Sequence, residues 1–215
     1  MKIIKMYTPL SKARSGNKLN NFNGVTIHAT GNPKIGAHAV AHAIYLLNDG
    51  KNKTAWWHYC VDENIITQSI PEDEIAWHAG DGKGDGNYKT ISIEICVNAD
   101  GDILEATDNA AELAADILKR HKITTAEGNV FQHNHWSGKN CPQHLREGIP
   151  YGWDTFIMKV NGFLQDEEEE FKITRKDGKK IIQDICKFDD NTMKYLDSYF
   201  YRNELIIRLA QAMIK

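Results

Sequence analysis

The sequence predicts an α/β fold, a central mixed β-sheet flanked by helices, followed by a small C-terminal α+β unit. Three observations predict it. Short apolar runs, Val25–Thr30 and Ile91–Val97 among them, read as buried strands. Longer stretches with helical spacing, Ala37–Leu47 and Asp108–His121, are interspersed with those runs, which is the order of a sheet covered by helices. A run of acidic residues, Asp166 and Glu167–Glu170, then separates this part from a different pattern.

In chain order, Asn23-Gly24 is a turn signal before the strand Val25–Thr30, and Gly31-Asn32-Pro33 ends it. Ala37–Leu47 is rich in Ala and Leu and reads as a helix stopped by Asn48-Asp49-Gly50. Trp57–Val61 and Ile65–Ser69 read as paired strands across Asp62-Glu63-Asn64. Residues 80–87, with four glycines, predict a flexible loop, and Ile91–Val97 is another buried strand. Asp108 is placed to cap a helix running to about His121. Leu113, Ile117 and Leu118 share one face, and Lys119, Arg120 and His121 lie at the end where the helix dipole favours cations. A short strand-like approach ends at Phe131, before a loop that carries His133 and Cys141.

These elements divide the chain into a domain over 1–162, an acidic linker over 163–170 and a small unit over 171–215. In that unit Phe171–Thr174 and Lys180–Ile182 flank Asp177-Gly178, a hairpin signature. Helices are expected at about 191–199 and 203–214, the second carrying Leu205, Ile206, Leu209, Ala210 and Met213 at helical spacing. Residues 171–215 hold ten Lys/Arg against six Asp/Glu, an excess of +4. Attachment to an anionic wall, or self-association into a homodimer through the apolar stripe, are the two roles this composition suggests.

A length of 215 residues allows one well-cored domain plus an appendage. The apolar share of 41% and charged share of 26% are those of an ordinary soluble protein. A net charge of −3 gives no general attraction to nucleic acid. No apolar run approaches the ~20 residues of a membrane span, so no membrane insertion is expected. The start, Met1–Tyr7, lacks a long apolar core with a small-residue cleavage site and is read as no signal peptide. The expectation is synthesis in the cytoplasm. Four cysteines lie far apart, and Cys60 and Cys96 sit in apolar runs as small core residues.

Cys141 has a different context. It stands with His133 in the stretch Gln132–Pro142, and His28 ends an apolar run far upstream. Two imidazoles and a thiolate make a three-ligand zinc set, which leaves a position open for water. Glu94 is a lone carboxylate within the apolar run Ile91–Val97, where an unpaired charge is costly. An open metal site with a nearby carboxylate describes metal-assisted hydrolysis. His135 competes with His133 as ligand, since two residues apart on an extended segment both point to one side.

The pieces Val25–His28, Trp57–Asp62, Ala76–Gly80, Ser92–Ile95 and His133–Pro142 fall in an order that resembles a known family over roughly residues 20–150. They are similar to zinc-dependent N-acetylmuramoyl-L-alanine amidases of the peptidoglycan-recognition fold, the type found in phage endolysins and Gram-positive autolysins. The resemblance implies one zinc per chain held by His28, His133 and Cys141, its spacing to Cys141-Pro142 favouring His133 over His135. It implies Glu94 as general base and then acid, with Lys139 helping to stabilise the oxyanion. Peptidoglycan is the implied partner, cut between N-acetylmuramic acid and the L-alanine of the stem peptide. An endolysin without a signal peptide would reach the wall after release by a membrane-permeabilising partner.

Some relatives carry tyrosine where this chain has Trp57, so no hydroxyl role transfers there. Trp57, His58, Trp77 and His78 are candidate groove residues for substrate, with core filling as the alternative. His38 and His42 lie four apart on the first helix without an acidic partner and read as surface or capping residues. Asp81 and Asp85 lack the rest of a calcium loop. Two rival readings stay open. One is a non-catalytic peptidoglycan-binding module of the same fold, against which Cys141 counts. The other is a structural zinc protein, which would need a fourth ligand such as His135.

Overall fold

The computed structural model describes residues 2–11, 14–49, 54–165 and 175–198, and divides into two compact units, Met1–Gln165 and Asp166–Lys215. The first is built on six strands: β1 (Ile3–Lys5), β2 (Gly24–Ala29), β3 (Tyr59–Val61), β4 (Ile66–Gln68), β5 (Thr90–Ile95) and β6 (Val130–Gln132). They form one mixed sheet in the order β1-β4-β3-β5-β2-β6. β3 and β4 pair antiparallel, as the run Asp62-Glu63-Asn64 between them predicts, and every other pair is parallel.

Side chains alternate across a strand, so a parallel register sorts them into rows. Val25, Ile27, Ile91, Ile93, Ile95, Tyr59 and Val61 belong to one core cluster. Against this cluster lie α3 (Ile103–Arg120), through Ala110, Leu113, Ala114 and Ile117, and α6 (Trp153–Gln165), through Phe156 and Val160. The intervening residues point the other way. His28 is the register partner of Glu94, and Glu94 is the partner of Cys60. One face of the sheet is therefore an aliphatic core. The other carries a row of ionisable side chains toward α1 (Ala39–Asp49).

Two helix boundaries differ from the sequence expectation, for identifiable reasons. α3 starts at Ile103, because Asp102 accepts from the backbone N–H groups of Leu104 and Glu105. Asp108 is not the cap. It lies inside the helix and accepts from the Tyr151 hydroxyl and the Lys159 ammonium. α1 begins at Ala39, whose N–H is capped from another element by the Asp62 carboxylate at 2.9 Å. The glycine-rich stretch is also more ordered in hydrogen bonding than its composition suggests. Its second half forms α2 (Asp85–Lys89), and Asp81 accepts from the N–H of Gly86 at 2.7 Å.

Residues 133–141, expected as a loop, contain the helical turn α4 (His133–Ser137), followed by α5 (Gln143–Arg146). Gly138 closes α4 with φ of 74°, the left-handed conformation that glycine adopts without a Cβ penalty. α6 runs through Gln165, so Phe163 and Leu164 belong to the first unit and not to a linker beginning at 163. In the second unit Arg175–Cys186 is a helix, α7, and Asp190–Ser198 is another, α8. The expected hairpin is corrected by α7, which passes through Asp177-Gly178 and Lys180–Ile182. Ile181, Ile182 and Ile185 recur at helical spacing, and that period outweighs the local turn signal. Phe171–Thr174 and the helix expected at 203–214 fall outside the described residues.

Candidate active site

Three side chains, one from β2 and two from the segment after β6, converge where β2 and β5 end. His28 is the last residue but one of β2, His133 opens α4, and Cys141 follows the turn after it. One ligand atom from each lies within 4.8 Å of the other two, and all three residues are buried. His28 Nδ1 is 3.0 Å from His133 Nδ1 and 3.9 Å from Cys141 Sγ. Two nitrogens at ~2.0–2.1 Å from a tetrahedral ion stand ~3.3–3.4 Å apart, so the spacing fits one metal ion shared by the three. Sequence separation sets the geometry. β2 and β6 pair in parallel, which brings the end of β6, and hence His133, beside the end of β2. Asn134 then folds the return segment back: its N–H donates to the Cys141 carbonyl at 2.9 Å and its amide donates to the Lys139 carbonyl at 2.9 Å.

The electrostatics suit a cation. Burial drives the His28 imidazole well below the usual histidine range, with charge repulsion from its neighbours His78 and His133 adding to the effect. Burial lowers His133 too. Both rings are therefore neutral at pH 7, the form that ligates a metal. Burial pushes the Cys141 thiol up to about 11, while the Ala29 N–H, 3.4 Å from its sulfur, favours the thiolate. A buried thiol of this kind becomes a thiolate when a metal replaces its proton.

Glu94 lies next to His28 in the register, with Oε1 4.0 Å from His28 Nδ1. Its Oε2 is buried and has no hydrogen-bond partner. Burial pushes its carboxyl up to about 7, and the Lys139 ammonium opposes that rise. Lys139 also acts electrostatically on His28, His133 and Cys141, so its charge reaches the whole site from an exposed position.

His135 is exposed, two residues from the buried His133. On a helical turn two residues subtend about 200°, so the two rings face opposite ways. His135 instead packs edge-on against Trp136 and tilted on Phe131. The segment is helical rather than extended, so the two rings do not share one side.

The four groove candidates separate. Trp57 lines a cleft of about 300 Å³ that reaches Glu94. His58 is fully buried. Its Nδ1 lies 2.9 Å from Ser92 Oγ and accepts from the Ser92 N–H, and its Nε2 meets the Glu74 carbonyl. Burial pushes its imidazole down to about 4. A ring with no surface and both nitrogens engaged cannot bind substrate, which corrects that expectation. His78 is also buried, and its Nδ1 lies 3.0 Å from His28 Nε2, behind that ring rather than in the cleft. Trp77 is half-buried and stacks edge-on with Tyr88, away from the cleft.

The sequence reading missed the wall of that cleft. Ala37, Ala41 and Tyr45 line it, together with His42 and Thr30. Ala41 and Tyr45, four apart on α1, share a helix face, while Ala37 lies just before the helix, and nothing in the sequence showed what these residues faced. Buried atoms around this cleft have no hydrogen-bond partner among the described residues: Thr30 Oγ1, His42 Nε2, Trp57 Nε1 and Glu94 Oε2. Unpaired buried polar atoms cost about 1–3 kcal/mol each. Four of them belong to residues that line this one cleft.

Comparison with known proteins gives the site its setting. The N-acetylmuramoyl-L-alanine amidase XlyA of Bacillus subtilis strain 168 is 46% identical over 138 residues, 64% of this chain and 44% of that protein. The amidase CwlH of the same organism is 42% identical over 138 residues, 64% of this chain and 52% of that protein. The chain thus spans about half the length of the curated relatives it matches. The solved catalytic domain of XlyA superposes with a TM-score of 0.68 at 42% identity, covering 74% of this chain and 99% of that one. PlyL superposes with a TM-score of 0.64 at 33% identity, covering 74% and 97%. Residues 18–144, which hold every side chain of the convergent group, match the family itself. On that match the chain belongs to the N-acetylmuramoyl-L-alanine amidase family.

Proposed function

We propose that this chain is a zinc-dependent peptidoglycan hydrolase, an endolysin that cuts the amide between N-acetylmuramic acid and the L-alanine of the stem peptide in the wall of a Gram-positive host. The observation that carries the reading is the convergence of His28, His133 and Cys141 beside a buried carboxylate with an unpartnered oxygen. The names of XlyA and CwlH supply the bond and the substrate.

His28, His133 and Cys141 would hold the zinc. When bound, it supplies a Lewis acid at the scissile carbonyl and an acidified water. Glu94 takes a proton from the attacking water, and Lys139 offers positive charge to the oxygen that becomes negative. Glu94 then returns the proton to the departing alanine nitrogen. The carbon–nitrogen bond breaks and a carbon–oxygen bond replaces it. The products are a lactyl carboxylate on the sugar and a peptide with a free amino end. The cleft beside Glu94, lined by Trp57, Thr30, His42 and Tyr45, is the place for the substrate next to the proton-transfer group. The wall itself is the implied partner.

Digestion of purified Gram-positive walls with mass spectrometry of the soluble fragments tests this reading. Free stem peptides beginning with alanine are expected, and a chelator should abolish their release. Walls that are bound but yield no peptide would favour a non-catalytic binding module. Sugar fragments, or peptides cut internally, would place the chemistry elsewhere.

The second unit serves the same reading. Its excess of basic residues suits attachment to an anionic wall, and its apolar helical spacing suits pairing of two chains. Deleting 166–215 is expected either to weaken co-sedimentation with walls at unchanged particle mass or to halve the mass by light scattering. A truncated chain with parental wall binding and mass would defeat both roles.

A further inference from the structure

A neutral imidazole has one bare nitrogen and one N–H, and a metal takes only the bare one. His28 turns Nδ1 toward His133 and Cys141, so on the zinc reading above its proton must sit on Nε2. That nitrogen lies 3.0 Å from His78 Nδ1. The proton position is contested. With no ion between them, His28 Nδ1 could instead carry it and donate to His133 Nδ1, 3.0 Å away. A ring with its proton on that side has no lone pair for a metal.

We propose that His78 is a positioning residue that decides this contest: its Nδ1 accepts from His28 Nε2–H and so keeps His28 Nδ1 bare for the metal. The accepting role rests on geometry. His78 Nδ1 stands 3.0 Å from His28 Nε2, on the side of that ring away from His133 and Cys141. His78 Nε2 is buried and has no hydrogen-bond partner among the described residues, so the contact with His28 is the one the ring makes through its nitrogens. The glycine-rich segment fixes the residue in place. The Asn87 side-chain oxygen accepts from the N–H of His78 at 2.7 Å and of Ala79 at 2.8 Å, and its amide donates to the Gly82 carbonyl at 2.9 Å. Asp81 ties the same turn through Gly86 and Asn87. The Ala79 carbonyl in turn favours a proton on the His133 ring, so two adjacent residues address both ligand imidazoles from behind. Such outer partners are worth about 10–100-fold in metal affinity.

Nitrogen NMR of the histidine rings in the full, metal-free chain tests the proposal without any substitution. His28 should carry its proton on Nε2, and a proton found on Nδ1 would overturn the proposal. Competition for zinc against a fluorescent chelator provides a second arm. His78→Leu is expected to weaken zinc about 10–100-fold. His78→Asn, whose side-chain oxygen falls near the position of Nδ1, should recover most of it. Parental affinity in His78→Leu, or equal losses in both variants, would also overturn it. A parent chain that took up no zinc would sink the amidase reading itself. A parent that binds zinc while His78 proves indifferent would sink only the role of His78.

Discussion

Cys141→Ser is expected to lose its zinc on dialysis and nearly all amide hydrolysis while keeping its fold. The thiolate is the only anionic ligand in the group of three, and a serine hydroxyl stays protonated at neutral pH and binds zinc far more weakly. Loss of a metal that supplies several kcal/mol to the transition state corresponds to at least ~10³-fold in rate. The fold is expected to survive, because the aliphatic core lies on the opposite face of the sheet, between β2, β5, β3 and the helices α3 and α6. Metal analysis after dialysis, with a thermal melt of the same sample, measures both. His133→Ala should behave alike, and His135→Ala should keep full zinc, since the His135 ring is exposed and packs on Phe131 and Trp136. Zinc lost from His135→Ala and retained in His133→Ala would reverse the choice of ligand and overturn the proposed group of His28, His133 and Cys141.

How much of this was legible in the sequence depends on the range of the interaction. The strands β2 and β5 were readable because β-branched Val and Ile recur at every second position, Val25 and Ile27 in one and Ile91, Ile93 and Ile95 in the other, the period of a strand. The α/β class followed. The site was readable as a set of residue types, His, His, Cys and Glu, but not as an arrangement. The row His28–Glu94–Cys60 exists only once β2, β5 and β3 are in register, and no local signal fixes parallel register between distant strands. His58 and His78 looked alike in sequence, each beside a tryptophan. Burial separates them, one locked to Ser92 and Glu74, the other facing His28. The caps failed for a related reason. Asp62 caps α1 across elements, and Asp102 precedes Asp108 with the same chemistry, so spacing alone could not choose. Asp177-Gly178 carries a strong local turn signal, yet the longer helical period around Ile182 governs the segment and α7 runs through it.

Glu94→Gln separates a catalytic carboxylate from a structural one. A carboxylate in a structural role is held by partners, and removing its charge destabilises the fold by breaking them. Glu94 has the opposite setting. Its Oε2 is buried without a hydrogen-bond partner, and its nearest basic contact, His28 at 4.0 Å, is neutral because burial holds that imidazole well below the usual range. Burying such a charge costs free energy, so a neutral amide of the same shape should leave the melting temperature equal to the parent's or above it. Zinc content should also persist, since all three ligand side chains are unchanged. The rate should nevertheless fall by about 10²–10⁴-fold, the usual contribution of a positioned proton-transfer group. An amide can neither take the proton of the attacking water nor return one to the alanine nitrogen. Activity within a few-fold of the parent, at parental zinc content, would remove Glu94 from the proton path. A large drop in melting temperature would show that its charge was serving the fold. The expected combination, a chain as stable as the parent and nearly inactive, follows from a site that keeps a costly buried charge where the chemistry requires it.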